Sequence, residues 1–300
     1  MSRLPWAGQW DIGLRLMTRP AMTTARNATL DLHAVMSVRA RNRLALWDIR
    51  DGLRLWRLAL TLGWLDIRLR YRGSMLGPLW LTISTGVMVA SLGLLYSRLF
   101  HMDMRDYLPF LALSQVLWAF LATLVNDSCL TFTESEGVIR SVRMPFSVFS
   151  LRILIRNLLV LAHNIIVIVV VFAIYDRWPG WDAVLAVPGL AVWVADALAL
   201  TMLLGGFCAR FRDILPIVNS IMQIAFFLTP VIWKPEQLRE MVYLLPFSPF
   251  YDLLEVVRGP LLGTPASAMT WLATLLYSGA LCGVAWAFFL RARGRIAFWI

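Results

Sequence analysis

The sequence predicts an all-α, polytopic membrane protein. Of its 300 residues, 59% are hydrophobic and only 15% are charged, and the mean hydropathy is +0.69, values far from those of soluble domains. Several uncharged runs reach the roughly 20 residues that a helix needs to cross a hydrocarbon core of about 30 Å. On this basis we predict six transmembrane helices, at residues 79–97, 108–125, 153–175, 183–207, 217–233 and 269–290.

The chain before the first predicted span divides into two parts. Residues 1–45 have weak periodicity and scattered arginines, which predicts a poorly ordered cytoplasmic extension. Residues 46–78 predict an amphipathic helix in the membrane interface, because Arg50, Arg54 and Arg57 recur at helical spacing. The opposing apolar face consists of Leu55, Trp56, Ala59 and Leu62.

The end of this interfacial region has an ambiguous periodicity. Apolar and charged residues alternate strictly from Leu65 to Arg72, a period-two pattern typical of a strand. An isolated strand beside a bilayer leaves its backbone groups unpaired, whereas a helix satisfies them internally. We therefore predict that this stretch is helical.

The six-helix transmembrane domain is predicted to span residues 79–300. Between its fifth and sixth spans, segments 237–245 and 249–262 are apolar but too short to cross. They predict re-entrant or surface helices.

The distribution of basic residues predicts the orientation. With six spans and the N-terminus inside, 22 of the 28 basic residues lie on the inner side, as the positive-inside rule requires. Both termini are therefore expected to be cytoplasmic. The six basic residues expected on the opposite side are Arg98, Arg105, Arg177, Lys234, Arg239 and Arg258.

The composition excludes several classes of function. The three cysteines form no CxxC pair, so neither a disulfide nor a metal site is expected. The net charge of +10 is explained by membrane topology, and nucleic-acid binding is set aside. A P-loop ATP site needs the motif GxxxxGK[ST], but Lys234 is the only lysine and Pro235 follows it. Any ATP and magnesium must then be bound by a partner subunit.

The loop after the second predicted span contains a candidate docking helix. A short charged helix is expected there, stopped by Pro145. It either docks a soluble partner or is an ordinary solvated loop helix. Its candidate residues are Glu134, Glu136, Gly137, Arg140 and Arg143.

Two further groups of residues are candidates for substrate contacts. The first could gather an anionic head group at the inner leaflet, or could serve only as a positively charged anchor; it consists of Trp64, Arg68, Arg70, Tyr71 and Arg72. The second could stack on sugar rings along a channel or at its exit, or could belong to an interfacial aromatic belt; it consists of Tyr96, Trp233, Tyr243 and Phe247.

Asp196 lies within the fourth predicted span, where an isolated charge is costly. We expect it to contact a partner, with His163 and Asn164 as the candidates. The pair either relays protons or fixes helix packing. A proton relay would indicate an ion-coupled transporter. A membrane-embedded transferase is the second alternative, but we find no cluster of a base beside a nucleophile.

Several runs of the sequence resemble the permease subunits of bacterial polysaccharide and O-antigen ABC exporters, the type-2 class. The similarity covers about residues 50–300, and its runs are WLDIRLRYRGSMLGPLW from residue 64, ESEGVIR from 134, CARFRD from 208, FLTPVIWKP from 227 and SPFYDLLEVVR from 248.

This resemblance implies a homodimer of six-helix subunits in the inner membrane, two separate ATPase subunits, and a lipid-linked polysaccharide as cargo. By position, residues 134–143 would be the coupling helix that contacts the ATPase. The segment before residue 79 would flank the substrate's access to the channel. The segments between residues 237 and 262 would face outward.

Overall fold

The computed structural model describes residues 37–77, 79–99 and 101–300, so most of the predicted N-terminal extension lies outside the described residues. All regular structure in the described ranges is helical, which confirms the all-α prediction. The helices are α1 (Val38–Arg54), α2 (Trp56–Arg70), α3 (Leu79–Leu99), α4 (Met104–Leu130), α5 (Glu136–Ser141), α6 (Phe146–Tyr175), α7 (Ala186–Arg210), α8 (Ile214–Leu228), α9 (Pro249–Leu261), α10 (Ala268–Ala292) and α11 (Ile296–Trp299). Two 3₁₀ segments precede α7 and α9, Trp181–Leu185 and Pro235–Phe247.

The interfacial region forms two helices with a break at Leu55. Helix α1 begins at Val38, upstream of the boundary predicted at residue 46. Helix α2 continues to Arg70, so the helical interpretation of the alternating stretch is confirmed up to that residue.

The buried face of α1 and α2 differs from the predicted apolar face. Leu55 and Trp56 are 38% and 50% exposed, while Ala59 is buried. The residues that face α6 are small, because the helix backbones approach closely. A Cβ atom on Gly52 would lie 2.0 Å from Ser147 Oγ. Large apolar side chains therefore cover the outer surface, where lipid can solvate them.

Five helical segments are long and apolar enough to cross a membrane: Leu79–Leu99, Met104–Leu130, Phe146–Tyr175, Trp181–Arg210 and Ala268–Ala292. The fifth predicted span corresponds to α8, which has 15 residues and is about 22 Å long at 1.5 Å per residue. The predicted count of six spans is therefore not confirmed. Helix α8 ends early because Thr229 precedes Pro230 and is held in an extended conformation.

Helix α4 occupies the centre of the bundle. Of the 18 most apolar consecutive residues of α4, 78% are buried, compared with 11% for the corresponding stretch of α3. Aromatic contacts attach its neighbours, including the stacked rings of Phe120 and Trp193, whose centroids are 5.4 Å apart. The core of a single chain is thus filled by α4, and large apolar side chains on α3 face outward.

We name the two ends of the bundle after a buried charged residue that forms hydrogen bonds at each of them. At the Asp48 end, Asp48 of α1 contacts the start of α6 and Arg293 beyond α10. At the Arg258 end, Arg258 of α9 contacts α4 and the carbonyl oxygen of Pro230 after α8.

Candidate functional site

A buried ionic cluster joins α2, α4 and α6 at the Asp48 end. Arg152 donates to both carboxylate oxygens of Asp66, with Nε–Oδ2 and Nη2–Oδ1 distances of 2.7 and 2.6 Å. One turn along α6, Arg156 contacts Asp127 at 3.0 Å and Glu134 at 3.2 Å, and lies 3.7 Å from Asp66. The Arg156 side chain is only 5% exposed. Two arginines thus compensate three carboxylates, of which Asp66 and Asp127 are at most 20% exposed and Glu134 is 40% exposed. Removing one partner of the less exposed charges leaves a poorly solvated charge.

Asp48 caps the N-terminus of α6 from a distant part of the chain. The residue before α6 is Pro145, whose side chain cannot accept a hydrogen bond. Asp48 accepts instead from the backbone N–H groups of Phe146 and Ser147, at 3.2 and 3.1 Å. Arg293 Nε donates to the same carboxylate at 3.0 Å. A single carboxylate therefore holds α1, α6 and the end of α10 together, with the favourable charge for a helix N-terminus.

Four of the predicted docking residues lie on or beside the exposed helix α5. Glu136 and Arg140 form an ion pair at 2.9 Å, with 43% and 62% of their side chains exposed. A Cβ atom on Gly137 would meet no atom within 4 Å, and Arg143 is exposed just after the helix. Glu134 differs, because it reaches into the ionic cluster. The segment that contains α5 is therefore connected to the ionic cluster through the contact between Glu134 and Arg156.

The structure divides the predicted head-group residues. Helical spacing places Trp64, Arg68 and Tyr71 on one side of α2, and the indole of Trp64 is 52% exposed. Arg70 projects from another side, and Arg72 follows the helix; both are exposed. Burial raises the pKa of Tyr71, and the positive charge of Arg70 opposes that rise. Three of the five residues therefore form one surface patch.

Sequence reasoning did not single out Asp48 or Asp66. The signal for Asp66 was present, because it is the one carboxylate in a segment with Arg57, Arg68 and Arg70. A lone acid in such surroundings needs a specific partner when it is buried. Asp48 had no comparable signal, since the helix end that it caps begins 98 residues later.

A buried arginine organises the Arg258 end. Arg258 is 1% exposed, and its Nη1 donates to Ser114 Oγ at 3.0 Å and to the Pro230 carbonyl at 2.5 Å. Its Nε donates to Glu255 Oε2 at 3.0 Å, and its guanidinium lies 4.7 Å from the centroid of the Phe110 ring. These contacts fix α9 against α4 and the turn after α8, so runs 227–235 and 248–258 meet at this end of the bundle.

A cavity of about 330 Å³ opens beside Arg258. It lies where the start of α4, the loop after α6, the start of the segment Pro235–Phe247 and the end of α9 meet. Its volume is at the lower end of the range for small-molecule sites, roughly 300–1,000 Å³. The basic residues that line it are Arg105, Arg177, Lys234 and Arg258.

The predicted channel aromatics do not form one group. Tyr243 and Phe247 lie one turn apart on the segment Pro235–Phe247 and are 69% and 71% exposed. Trp233 is partly buried and donates from Nε1 to the Phe227 carbonyl at 3.1 Å. Tyr96 is on α3 and packs against the main core. Only Tyr243 and Phe247 present open ring surfaces.

The predicted partner of Asp196 is wrong. Its Oδ2 accepts a hydrogen bond from Ser278 Oγ of α10 at 2.7 Å. His163 Nδ1 contacts the Leu159 carbonyl at 2.7 Å within its own helix, and Asn164 is bonded to a threonine on α3. The three side chains face different neighbours because helix rotation, which the sequence did not reveal, decides their direction. The geometry offers no contact through which Asp196 and His163 could exchange a proton.

Residues 57–262 match the ABC-2 type transporter family. The chain belongs to this family. ABC-2 membership together with the long apolar helices makes it a multi-pass membrane subunit, and it implies a separate ATPase partner. The match begins at the start of α2 and ends after α9, so it includes the ionic cluster and all but two of the residues that line the Arg258 cavity.

Curated relatives of this ABC-2 chain carry a common name. It is 28% identical over 180 residues to the O-antigen export system permease protein RfbA of Myxococcus xanthus, which is 59% of this chain and 68% of the relative. It is 24% identical over 195 residues to the protein of the same name from Klebsiella pneumoniae, covering 63% of this chain and 74% of the relative.

Proposed function

We propose that this ABC-2 chain is the permease subunit of an exporter that moves a lipid-linked polysaccharide of the O-antigen type across the bacterial inner membrane. The observation that carries the proposal is the similarity to O-antigen export permeases over 180 and 195 residues. The chain itself supplies binding and coupling residues and no catalytic ones, and it needs no cofactor, since ATP and magnesium are bound by the partner.

The Asp48 end faces the cytoplasm in this proposal. The excess of basic residues, 22 of 28 in the six-span arrangement, supports this orientation through the positive-inside rule. Helix α8 and the extended residues after it complete the sixth crossing. Both termini are then cytoplasmic.

The channel forms between two copies of the chain. Helix α4 fills the centre of the bundle, which leaves no room for a polymer inside one subunit. A passage wide enough for a polysaccharide therefore lies at an interface between subunits. The exposed rings of Tyr243 and Phe247 are positioned to contact sugar rings near the outer opening, and the patch of Trp64, Arg68 and Tyr71 receives the anionic carrier at the inner leaflet.

ATP-driven movement enters through α5. The partner ATPase docks on the exposed helix, whose start is connected by Glu134 to Arg156 and from there to Asp66 of α2. A shift of α5 is therefore transmitted to the helix that borders the lipid-carrier patch. Ion pairs at such an interface can exchange partners, so the helices that they join can move between two discrete arrangements.

Export is tested by deletion and complementation. Cells that lack the gene should accumulate lipid-linked polysaccharide on the cytoplasmic side and lose it from the surface, and the wild-type gene should restore surface display. Immunoblotting of the surface polymer and mass spectrometry of extracted lipid-linked glycan measure the two pools. Normal surface polymer in the deletion strain contradicts the proposal.

The coupling assignment is tested by Glu136→Arg. This change reverses a charge on the exposed face of α5 and should reduce co-purification of the ATPase at least severalfold, with a parallel loss of export. Asp51→Arg is the matched control, because Asp51 is a half-exposed carboxylate on α1. Equal ATPase recovery and equal ATP turnover in both variants would sink the assignment.

A further inference from the structure

The cavity at the Arg258 end is lined by basic residues, which are few on the outer side of the membrane in the predicted topology. In the predicted orientation only six of the 28 basic residues lie on the outer side. Four of these six, Arg105, Arg177, Lys234 and Arg258, line this one cavity. The positive-inside rule gives no reason for basic residues to converge there, so the convergence indicates a binding role.

Carboxylates alternate with these basic groups around the cavity. Asp106 is paired with Arg177, Glu255 is paired with Arg258, and Glu236 also lines the wall. Four positive and three negative side chains leave a net charge of only +1. A site for a phosphate or another strong anion is expected to carry a larger positive excess. Interleaved donors and acceptors match a ligand whose groups both donate and accept, as sugar hydroxyls do.

Trp178 adds a flat apolar surface at the cavity wall. Its side chain lines the cavity and is 59% exposed, so its ring surface is open to a ligand. The C–H face of a pyranose ring packs on such a surface while its hydroxyls point sideways to polar groups. Phe110 cannot play this part, because the Arg258 guanidinium already covers its ring at 4.7 Å from the centroid.

The cavity is held in shape before any ligand binds. Arg258 is fixed by the Ser114 hydroxyl and the Pro230 carbonyl. The loop after α9 is closed by a hydrogen bond from Thr264 N–H to the Gly259 carbonyl at 2.9 Å. A Cβ atom on Gly259 would lie 2.5 Å from Thr264 O, so glycine is required for this loop to close. A rigid wall lowers the entropy cost of binding.

We infer that this cavity binds an uncharged pyranose unit of the exported polysaccharide at the outer end of the permease. The inference rests on the proposed function for the source of the sugar. Binding is weak, with a Kd on the order of millimolar, because a polymer in transit must leave each site that it occupies.

The experiment measures binding to the complex of permease and ATPase in nanodiscs. The probe is a fragment of a few sugar units, released by mild acid hydrolysis from the surface polysaccharide of the native host. Saturation-transfer NMR should detect binding to the wild type. Trp178→Ala should raise the Kd about fivefold to tenfold, the value expected for one lost stacking contact, and Glu236→Gln should weaken binding to a smaller extent.

Trp181→Ala is the matched control for the tryptophan variant. Trp181 lies three residues further along, is 94% exposed and does not line the cavity. Its replacement should leave the Kd unchanged. Inorganic phosphate at the concentration of the probe should not displace the fragment.

The inference is overturned if the wild type binds no fragment at tens of millimolar, if Trp178→Ala and Trp181→Ala bind equally, or if phosphate displaces the sugar. Failure of the proposed function has a different signature. In that case the deletion strain keeps normal surface polymer, whatever the binding data show.

Discussion

Buried charges at single residues hold the two ends of this protein together. Asp48, Arg156 and Arg258 are each almost inaccessible, at 3%, 4% and 1% exposure, and each contacts groups from at least two other parts of the chain. Such groups are expensive to bury and are tolerated only when their partners are in place. Their replacement therefore affects the assembly of helices more than the helices themselves.

We predict that Asp48→Ala destabilises the protein strongly. The change removes the acceptor for two N–H groups at the start of α6 and leaves Arg293 without its carboxylate. The expected loss is about 2–4 kcal/mol, measured as a lower thermal unfolding midpoint in nanodiscs. Asp51→Ala removes only an exposed ion pair on the same helix and should change the midpoint little. Similar shifts in both variants would contradict the capping role.

Asp252 predicts a pH dependence of stability. Its side chain is fully buried, and among the described residues neither carboxylate oxygen has a hydrogen-bond partner. Burial, and then the negative charge of Glu255, raise the pKa of Asp252 to about 7. The folded state thus binds its proton more tightly than the unfolded state, whose aspartate pKa is about 3.9. Stability should be greatest at low pH and fall as the pH rises from about 4 to above 7.

Asp252→Asn should remove this dependence, because asparagine imitates the protonated acid. Its advantage in unfolding temperature over the wild type should grow between pH 5.5 and pH 8.5. Asp182→Asn changes an exposed residue and is the control. Its unfolding temperature should depend on pH in the same way as that of the wild type. A constant difference between Asp252→Asn and the wild type across this pH range would refute the assignment.

At the scale of elements, helix packing depends on small residues. Helices α1 and α2 approach α6 closely at Gly52 and Gly63, and Ala59 packs in one cluster with residues of α6, while most of their larger apolar residues are exposed. Close approach of backbones is the usual source of affinity between helices in lipid, where apolar burial between helices brings little gain. The amphipathic pattern of the sequence identified these helices, but it did not reveal which face packs against α6.

Gly52→Ala is expected to separate α1 from α6. The added Cβ would meet Ser147 Oγ at 2.0 Å, and that hydroxyl is held by two hydrogen bonds to Asp48. The expected cost is about 1–3 kcal/mol, measured by thermal unfolding. Gly279→Ala in α10 has open space around the new methyl group and should be neutral or slightly stabilising. If the two variants are equally stable, close packing at Gly52 is not required.

At the scale of the whole molecule, the ionic cluster connects segments that are far apart in sequence. Asp66 and Arg152 are separated by 86 positions and form a two-point contact, while Glu134 connects the same cluster to α5. The cluster is therefore the place where the docking surface and the interfacial helices meet.

A double-mutant cycle on Asp66→Asn and Arg152→Gln should measure this connection. Each single change leaves a partly buried charge without its partner, and the double change removes both charges. We expect a coupling energy of about 1–3 kcal/mol in unfolding free energy, and loss of export with retained ATP hydrolysis in the single variants. Additive effects would show that the pair does not act as a unit.

The sequence by itself determined the membrane class and the long apolar helices. These features are local, because a helix in lipid satisfies its own backbone hydrogen bonds and a run of apolar residues is enough to specify it. The ABC-2 resemblance was likewise readable from short runs. The predicted span at 217–233 was not confirmed, because α8 ends at Leu228, where Thr229 before Pro230 is extended.

Only the tertiary structure decided how the helices face one another. In lipid most faces of a helix are apolar, so periodicity does not reveal which side packs against protein. The pairings of Asp48 with the start of α6, Asp66 with Arg152 and Asp196 with Ser278 depend on helix rotation and register. The Arg258 cavity depends on them too, because four separate elements supply its walls.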